Sequence, residues 1–188
     1  VAALFILALG LLAFAGLADA MASDGGRGFD RAVLAWLQPR PGALRGAWWV
    51  KEAAMDLTAL GGISVLALFA LIALAFLLTY GKRLSAALLV VGLGGGVALS
   101  EGLKAVFERD RPPLAYQAVE TLNASFPSGH ALLATVFYLT LGVILARAFL
   151  RRRLKALTLV VAVALALLEG ATRDYLGAHW EKDVLAGW

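Results

Sequence analysis

An all-α, polytopic membrane helix bundle is the fold this sequence predicts, and three observations predict it. Of 188 residues, 61% are hydrophobic, and the mean hydropathy of +0.82 is above that of a soluble domain of this length. The apolar residues are gathered in uncharged runs at 1–18, 57–80 and 84–100, with shorter ones at 131–146 and 156–168. A helix needs about 20 mainly apolar residues to cross a bilayer; the second run reaches that length alone, the others with their weakly polar flanks. Basic residues, finally, crowd into alternate connections, the pattern that orients a polytopic chain. Five transmembrane helices are recognisable, within a single domain over 1–188.

The first run lacks a basic leader and more spans follow it, so it reads as a transmembrane helix rather than a signal peptide. Residues 19–56 form an outer loop. In it Phe29, Val33, Leu34, Trp36 and Leu37 recur at helical spacing around Asp30 and Arg31, which predicts an amphipathic helix at the membrane interface. Trp36, Trp48, Trp49 and Trp180 suit the aromatic belt at headgroup level. The second span, 57–80, leads to Lys82 and Arg83. The third carries Gly92 and Gly96 in a GxxxG pattern, a device for close helix packing. The fourth follows residue 130. Its link to the fifth holds Arg147, Arg151, Arg152, Arg153 and Lys155. These basic links share one side, expected to be cytoplasmic. A sixth span would begin near Val184, and the sequence reads as truncated there; Val1 in place of Met reads the same way.

Three polar clusters stand out against this background: Lys104 with Arg111-Pro112, then Pro127-Ser128-Gly129-His130, then Arg173 with His179 and Asp183. Both histidines of the chain fall inside them. Charged groups in apolar surroundings are costly and mark function. Lys104 and Arg111 are two helical turns apart and can share a face, with Pro112 ending the helix; interfacial snorkelling explains that pair equally well. Pro127 to His130 precede the fourth apolar run, where free helix amides and the Ser128 hydroxyl make an anion site and Gly129 lets backbone approach a ligand. The alternative is a helix cap with an incidental histidine. If that segment is helical, His179 and Asp183 lie one turn apart, so that the carboxylate fixes the imidazole tautomer and frees its other nitrogen for attack. An interfacial His–Asp pair is the competing reading. Topology puts all three clusters at the outer ends of helices or in outer loops.

These strings resemble the signature of the type 2 phosphatidic acid phosphatase family, membrane phosphatases related to vanadium haloperoxidases. The pattern is Lys-x6-Arg-Pro, Pro-Ser-Gly-His and Ser-Arg-x5-His-x3-Asp, and residues 104–112, 127–130 and 172–183 keep its spacings, with Thr172 in place of the usual Ser. The resemblance covers roughly residues 57–188 and implies a phosphohistidine mechanism. His179 is the implied nucleophile, Asp183 its orienting carboxylate and His130 the proton donor to the leaving oxygen. Lys104, Arg111, Ser128, Gly129 and Arg173 are the implied phosphate-binding residues. No metal and no cofactor are implied, since the three cations take that place.

Glu101 and Glu169 either tune the site or, as the default reading, neutralise neighbouring cations; for Asp110 and Asp174, beside arginines, loop solvation is as good an explanation as function. With no cysteine, disulfides and thiolate-bound metals are excluded. A net charge of +4 without an aromatic-interleaved basic run gives no nucleic-acid surface. The expected activity is hydrolysis of a phosphomonoester or pyrophosphate on a lipid: undecaprenyl diphosphate first, then phosphatidic acid or phosphatidylglycerol phosphate. The alanine-, leucine-, glycine- and arginine-rich composition points to a bacterial cytoplasmic membrane with the site facing the periplasm or exterior. The alternatives are an anion or lipid transporter lined by the basic residues and a vanadate-dependent haloperoxidase, which the spans oppose. Oligomeric state is not legible.

Overall fold

The computed structural model describes residues 1–119, 121 and 123–188, the side chains of Ala2 and Ala3 excepted. Among them there are eight α-helices and no strand: α1 (Ala2–Ala22), α2 (Asp24–Leu37), α3 (Trp48–Thr58), α4 (Ile63–Thr79), α5 (Arg83–Phe107), α6 (Gly129–Ala148), α7 (Arg152–Tyr175) and α8 (Glu181–Gly187). Single 3-10 turns at Ala59–Gly61 and Leu114–Tyr116 complete the order. Helices α1, α5, α6 and α7 are each long and apolar enough to cross a membrane, and the bent pair α3–α4 is so when taken together. The chain is an integral membrane protein of the predicted all-helical class.

The bundle is centred on α6, which packs against α5, α7 and α4. Its core holds Leu66, Leu89, Leu132, Leu133, Ala134, Phe137, Tyr138 and Ala162. In lipid, where tails are as apolar as leucine, such packing relies on small residues that let helices approach. Gly92 and Gly96 serve the α5–α6 seam as the GxxxG pattern predicts. A Cβ on Gly96 would lie 3.2 Å from the Leu132 and Leu133 side chains, and one on Gly92 3.4 Å from Val136. Gly142 does the same for α6 and α7, where a Cβ would meet Ala162 at 2.7 Å.

The run 57–80 is not one straight helix. It breaks at 59–62, and α3 and α4 are bent by 50°. At the break Gly61 lies under the buried Glu169 of α7, and a Cβ there would come within 2.2 Å of Glu169 Oε2. Tyr138 of α6 donates from its hydroxyl to the Leu60 carbonyl at 3.0 Å, meeting one acceptor freed by the break.

Helix α2 forms where the amphipathic pattern places it, with Ser23 as its N-cap. Its polar residues divide unexpectedly. Arg31 is exposed, but Asp30 is buried, because it faces a lysine and an arginine brought from α8 and the α5–α6 loop. Leu34 is buried, whereas Phe29 and Trp36 are exposed. Phe14 of α1 stacks with Phe107 and Phe126, with ring centroids 6.3 and 5.5 Å away, and braces the end of α5 and the segment before α6.

Candidate active site

The bundle brings the C-terminal ends of α5 and α7, the N-terminal end of α6 and the α3–α4 break to one end. There they enclose a cavity of about 140 Å³ whose lining includes Lys104, Arg111, Gly129, His130, Arg173 and His179. The three clusters of the sequence therefore converge. Ser128 and Asp183 are buried behind this lining.

Lys104 ends α5 with its ammonium 2.8 Å from Glu101 Oε1, the pairing expected from their spacing. The helix stops sooner than predicted: it closes at Phe107, and Glu108 takes a left-handed conformation, φ 42°. Lys104 and Arg111 therefore do not share a helix face. Arg111 enters the cavity from the following loop as a fixed fork. Its Nε donates to the Asn123 carbonyl at 2.6 Å, Nη2 to Asn123 Oδ1 at 2.8 Å, and Nη1 to the Ala178 carbonyl at 2.7 Å.

Ser128 caps α6, its hydroxyl accepting from the Ala131 amide at 3.5 Å. At Gly129 the backbone comes close to Lys104: a Cβ there would sit 3.3 Å from Ser100 Oγ and 3.4 Å from Lys104 Nζ. His130 shares the cavity wall with Arg173, His179, Arg111 and Lys104. Arg173 is buried in the last turn of α7, with Nη1 3.3 Å from Thr58 Oγ1 and Nε without a partner. Ser100 Oγ is likewise buried without a partner at this wall. Buried donors left unmet are costly, and here they border the cavity. Thr172, at the position where the motif has Ser, turns its hydroxyl back to the Glu169 carbonyl at 2.8 Å. Nothing in that contact requires Ser over Thr.

The His179–Asp183 pair forms across a helix start rather than along a helix turn, because α8 begins at Glu181. Asp183 Oδ2 accepts from the Trp180 amide at 2.9 Å and lies 3.6 Å from His179 Nδ1. On the other edge of the ring, Nε2 is 3.2 Å from Arg111 Nη1. A guanidinium only donates, so Nε2 presents a lone pair and the ring proton is on Nδ1, toward Asp183. Burial lowers the His179 pKa to about 4, with Arg111 and Arg173 adding to the effect against the pull of Asp183. Burial alone would raise the Asp183 carboxyl. The hydrogen bond and electrostatic pull of His179, then the charge of Arg109 and the hydrogen bond from Ser125, outweigh it and hold Asp183 below its ordinary value. At neutral pH the pair is a neutral imidazole facing a carboxylate.

Several members were not found by sequence reasoning. Arg109 contacts both Asp183 Oδ1 and Asp30 Oδ2, Ser125 donates to Asp183, and Asn123 holds Arg111. Arg109 stands two residues before Arg111, a visible basic residue in a motif loop; nothing in the sequence pairs it with Asp30. The Trp180 indole donates to the Asp110 carbonyl at 2.8 Å, and its ring lies 5.8 Å from the Arg109 guanidinium. Asp174 is not solvated in a loop but buried at the end of α7, and Glu169 is buried too. Main chain ties the clusters together, with Ser125 N donating to the Arg109 carbonyl at 2.8 Å and Ser128 N to the Asp183 carbonyl at 2.9 Å.

A helical membrane bundle with a cation-lined cavity at one end, two histidines and three cations on its wall, defines a class of membrane phosphatase. The PAP2 superfamily profile matches residues 85–188, and the chain belongs to that superfamily. It is 33% identical over 142 residues to phosphatidylglycerophosphatase B of Bacillus subtilis (strain 168), covering 74% of this chain and 69% of the relative. Its fold is similar to the crystal structure of the first transmembrane PAP2-type phosphatidylglycerolphosphate phosphatase from Bacillus subtilis. The TM-score is 0.87 at 29% identity, over 96% of this chain and 87% of the other. LpxE of Aquifex aeolicus shares the fold at a TM-score of 0.62 and 23% identity, over 83% of this chain and 86% of the other.

Proposed function

We propose that this enzyme hydrolyses a phosphate ester on a membrane lipid through a phosphohistidine at His179. The observation that carries the reading is His179 on the wall of a cavity bordered by Lys104, Arg111 and Arg173, with its Nε2 3.2 Å from Arg111 Nη1 and therefore unprotonated. These cations, the Gly129 backbone at the start of α6 and the helix-capping Ser128 favour a bound phosphate and offset charge in the transition state. His179 Nε2 attacks phosphorus in line, the phosphorus–oxygen bond to the lipid breaks, and His130 gives its proton to the leaving oxygen. The positive charge formed on His179 is balanced by Asp183. Water then attacks the phosphohistidine, His130 takes the water's proton, and inorganic phosphate leaves.

The donor set suits an anion rather than a metal: Glu101, the carboxylate in the lining, is already paired with Lys104. Among the described residues no group of three metal-ligating side chains is gathered. A transporter has no use for a tautomer-fixed imidazole. We rank phosphatidylglycerol phosphate first, since the two Bacillus subtilis relatives are named for its hydrolysis, with phosphatidic acid and undecaprenyl diphosphate after it. The site is assigned to the outer face, with the basic α4–α5 and α6–α7 links inside, in a bacterial cytoplasmic membrane.

Rapid quench with radiolabelled lipid phosphate tests the mechanism. An acid-labile phosphoenzyme is expected in the wild type and absent in His179→Ala, with turnover insensitive to EDTA and inhibited by vanadate. Wild-type turnover in His179→Ala would remove the nucleophile. Phosphate release across the three purified lipids ranks the substrates, and faster turnover of undecaprenyl diphosphate would displace phosphatidylglycerol phosphate.

A further inference from the structure

We propose that Arg109 is a positioning residue for the nucleophile, clamped between Asp30 of α2 and Asp183 so that the Asp183 carboxylate stays ionised and aimed at His179. The inference rests on the phosphohistidine reading above and adds to it a part of the machinery outside the phosphate cavity. Asp183 is fully buried. A buried carboxyl without a countercharge takes up a proton, and a protonated Asp183 could not balance the charge that forms on His179. In the resting enzyme the partner imidazole is neutral, so it supplies no countercharge. Ser125 and the Trp180 amide donate to Asp183 but carry no charge.

The charged groups facing Asp183 sort out plainly. Asp30 from α2 and Asp174 from α7 are acidic and offer it no countercharge. Lys182, its neighbour on α8, spends its charge on Asp30, with Nζ 3.2 Å from Oδ1. Arg111 favours ionisation, yet it borders the phosphate cavity and its charge is offset once a phosphate binds. Arg109 remains. Its Nη1 contacts Asp183 directly, and its Nη2 is 2.5 Å from Asp30 Oδ2. This tether matters because Arg109 is only two residues from Arg111. Both of its terminal nitrogens are committed to carboxylates, and it lines a separate hollow of about 310 Å³ with Asp30, Arg31 and Trp180. Reaching the phosphate would require breaking both ion pairs.

The test is steady-state kinetics of purified Arg109→Gln, Arg109→Lys and the control Arg31→Gln, an exposed arginine on the same helix as Asp30. Arg109→Gln is expected to lower kcat by about a hundredfold with KM and competitive inhibition by inorganic phosphate little changed. Because loss of the countercharge raises the Asp183 pKa, the acid limb of kcat moves to higher pH, and activity partly recovers above it. Arg109→Lys keeps the charge and should restore most of the turnover, with an intermediate limb; it also serves if the glutamine variant does not fold. Arg31→Gln should match wild type. A fall in phosphate affinity with an unmoved pH profile would make Arg109 a phosphate ligand and overturn the proposal. Equal loss in the lysine and glutamine variants with no pH shift would reduce it to a structural tie. Either result leaves the nucleophile standing if His179→Ala is still inactive.

Discussion

His179 is gripped on both ring edges, by a carboxylate at Nδ1 and a guanidinium at Nε2, and those contacts dictate how it titrates. The folded ring is held neutral to about pH 4, whereas an ordinary histidine titrates near 6.5. Histidine NMR of His130→Asn, which leaves His179 as the lone histidine, should show a titration near pH 4. Added inorganic phosphate places negative charge at Nε2 and should raise that value; a midpoint near 6.5 with no response would contradict the buried setting. Asn123 is a second residue with a specific consequence. It orients the Arg111 fork by two hydrogen bonds, one from its main chain and one from its side chain. Asn123→Ala removes only the side-chain one and should weaken phosphate binding by about fivefold to tenfold, read as a rise in KM larger than the fall in kcat. The motif residues were legible because chemistry needs those residue types at those spacings. Asp30 and Arg109 were not. Periodicity marks Asp30 as the wet side of a helix, and only the fold shows that a half-buried arginine and a buried lysine occupy that side.

At the scale of elements, the turns between helices aim the chemistry. Gly177 sits in the turn after α7 with φ +66°, and a Cβ there would come within 2.2 Å of the Tyr116 carbonyl. It immediately precedes Ala178, whose carbonyl accepts from Arg111, and His179. Gly177→Ala combines left-handed strain with a backbone clash. We expect a loss of about 2–4 kcal/mol, seen as a lower melting temperature in detergent and a lower kcat. Gly96→Leu should part α5 from α6 and give a similar loss of stability. The spans themselves were readable from apolar length, and α2 from its 3.6-residue period. The early end of α5 and the break between α3 and α4 were not, since each depends on a partner distant in sequence. Glu169 of α7 fills the space beside Gly61, and the Ser125 amide holds the Arg109 carbonyl.

Across the whole molecule, basic residues collect at the end of the bundle opposite the cavity, with Lys82 and Arg83 where α5 begins and Arg147 to Lys155 between α6 and α7. This asymmetry predicts orientation, and a chain without cysteine makes it simple to check. Arg40→Cys, beyond α2, should react with a membrane-impermeant maleimide in intact cells, while Arg151→Cys should react only after permeabilisation. The reverse pattern would invert the topology.

The ties between Ser125 and Arg109 and between Ser128 and Asp183 use main-chain atoms at both ends. A tie of that kind survives nearly every substitution at the four positions, proline at a donor excepted. Side chains in these loops that do not touch the site can therefore change while the frame beneath the cavity keeps its shape. Substrate choice in such a protein can drift by changing the residues around the headgroup, with the attack geometry inherited unchanged.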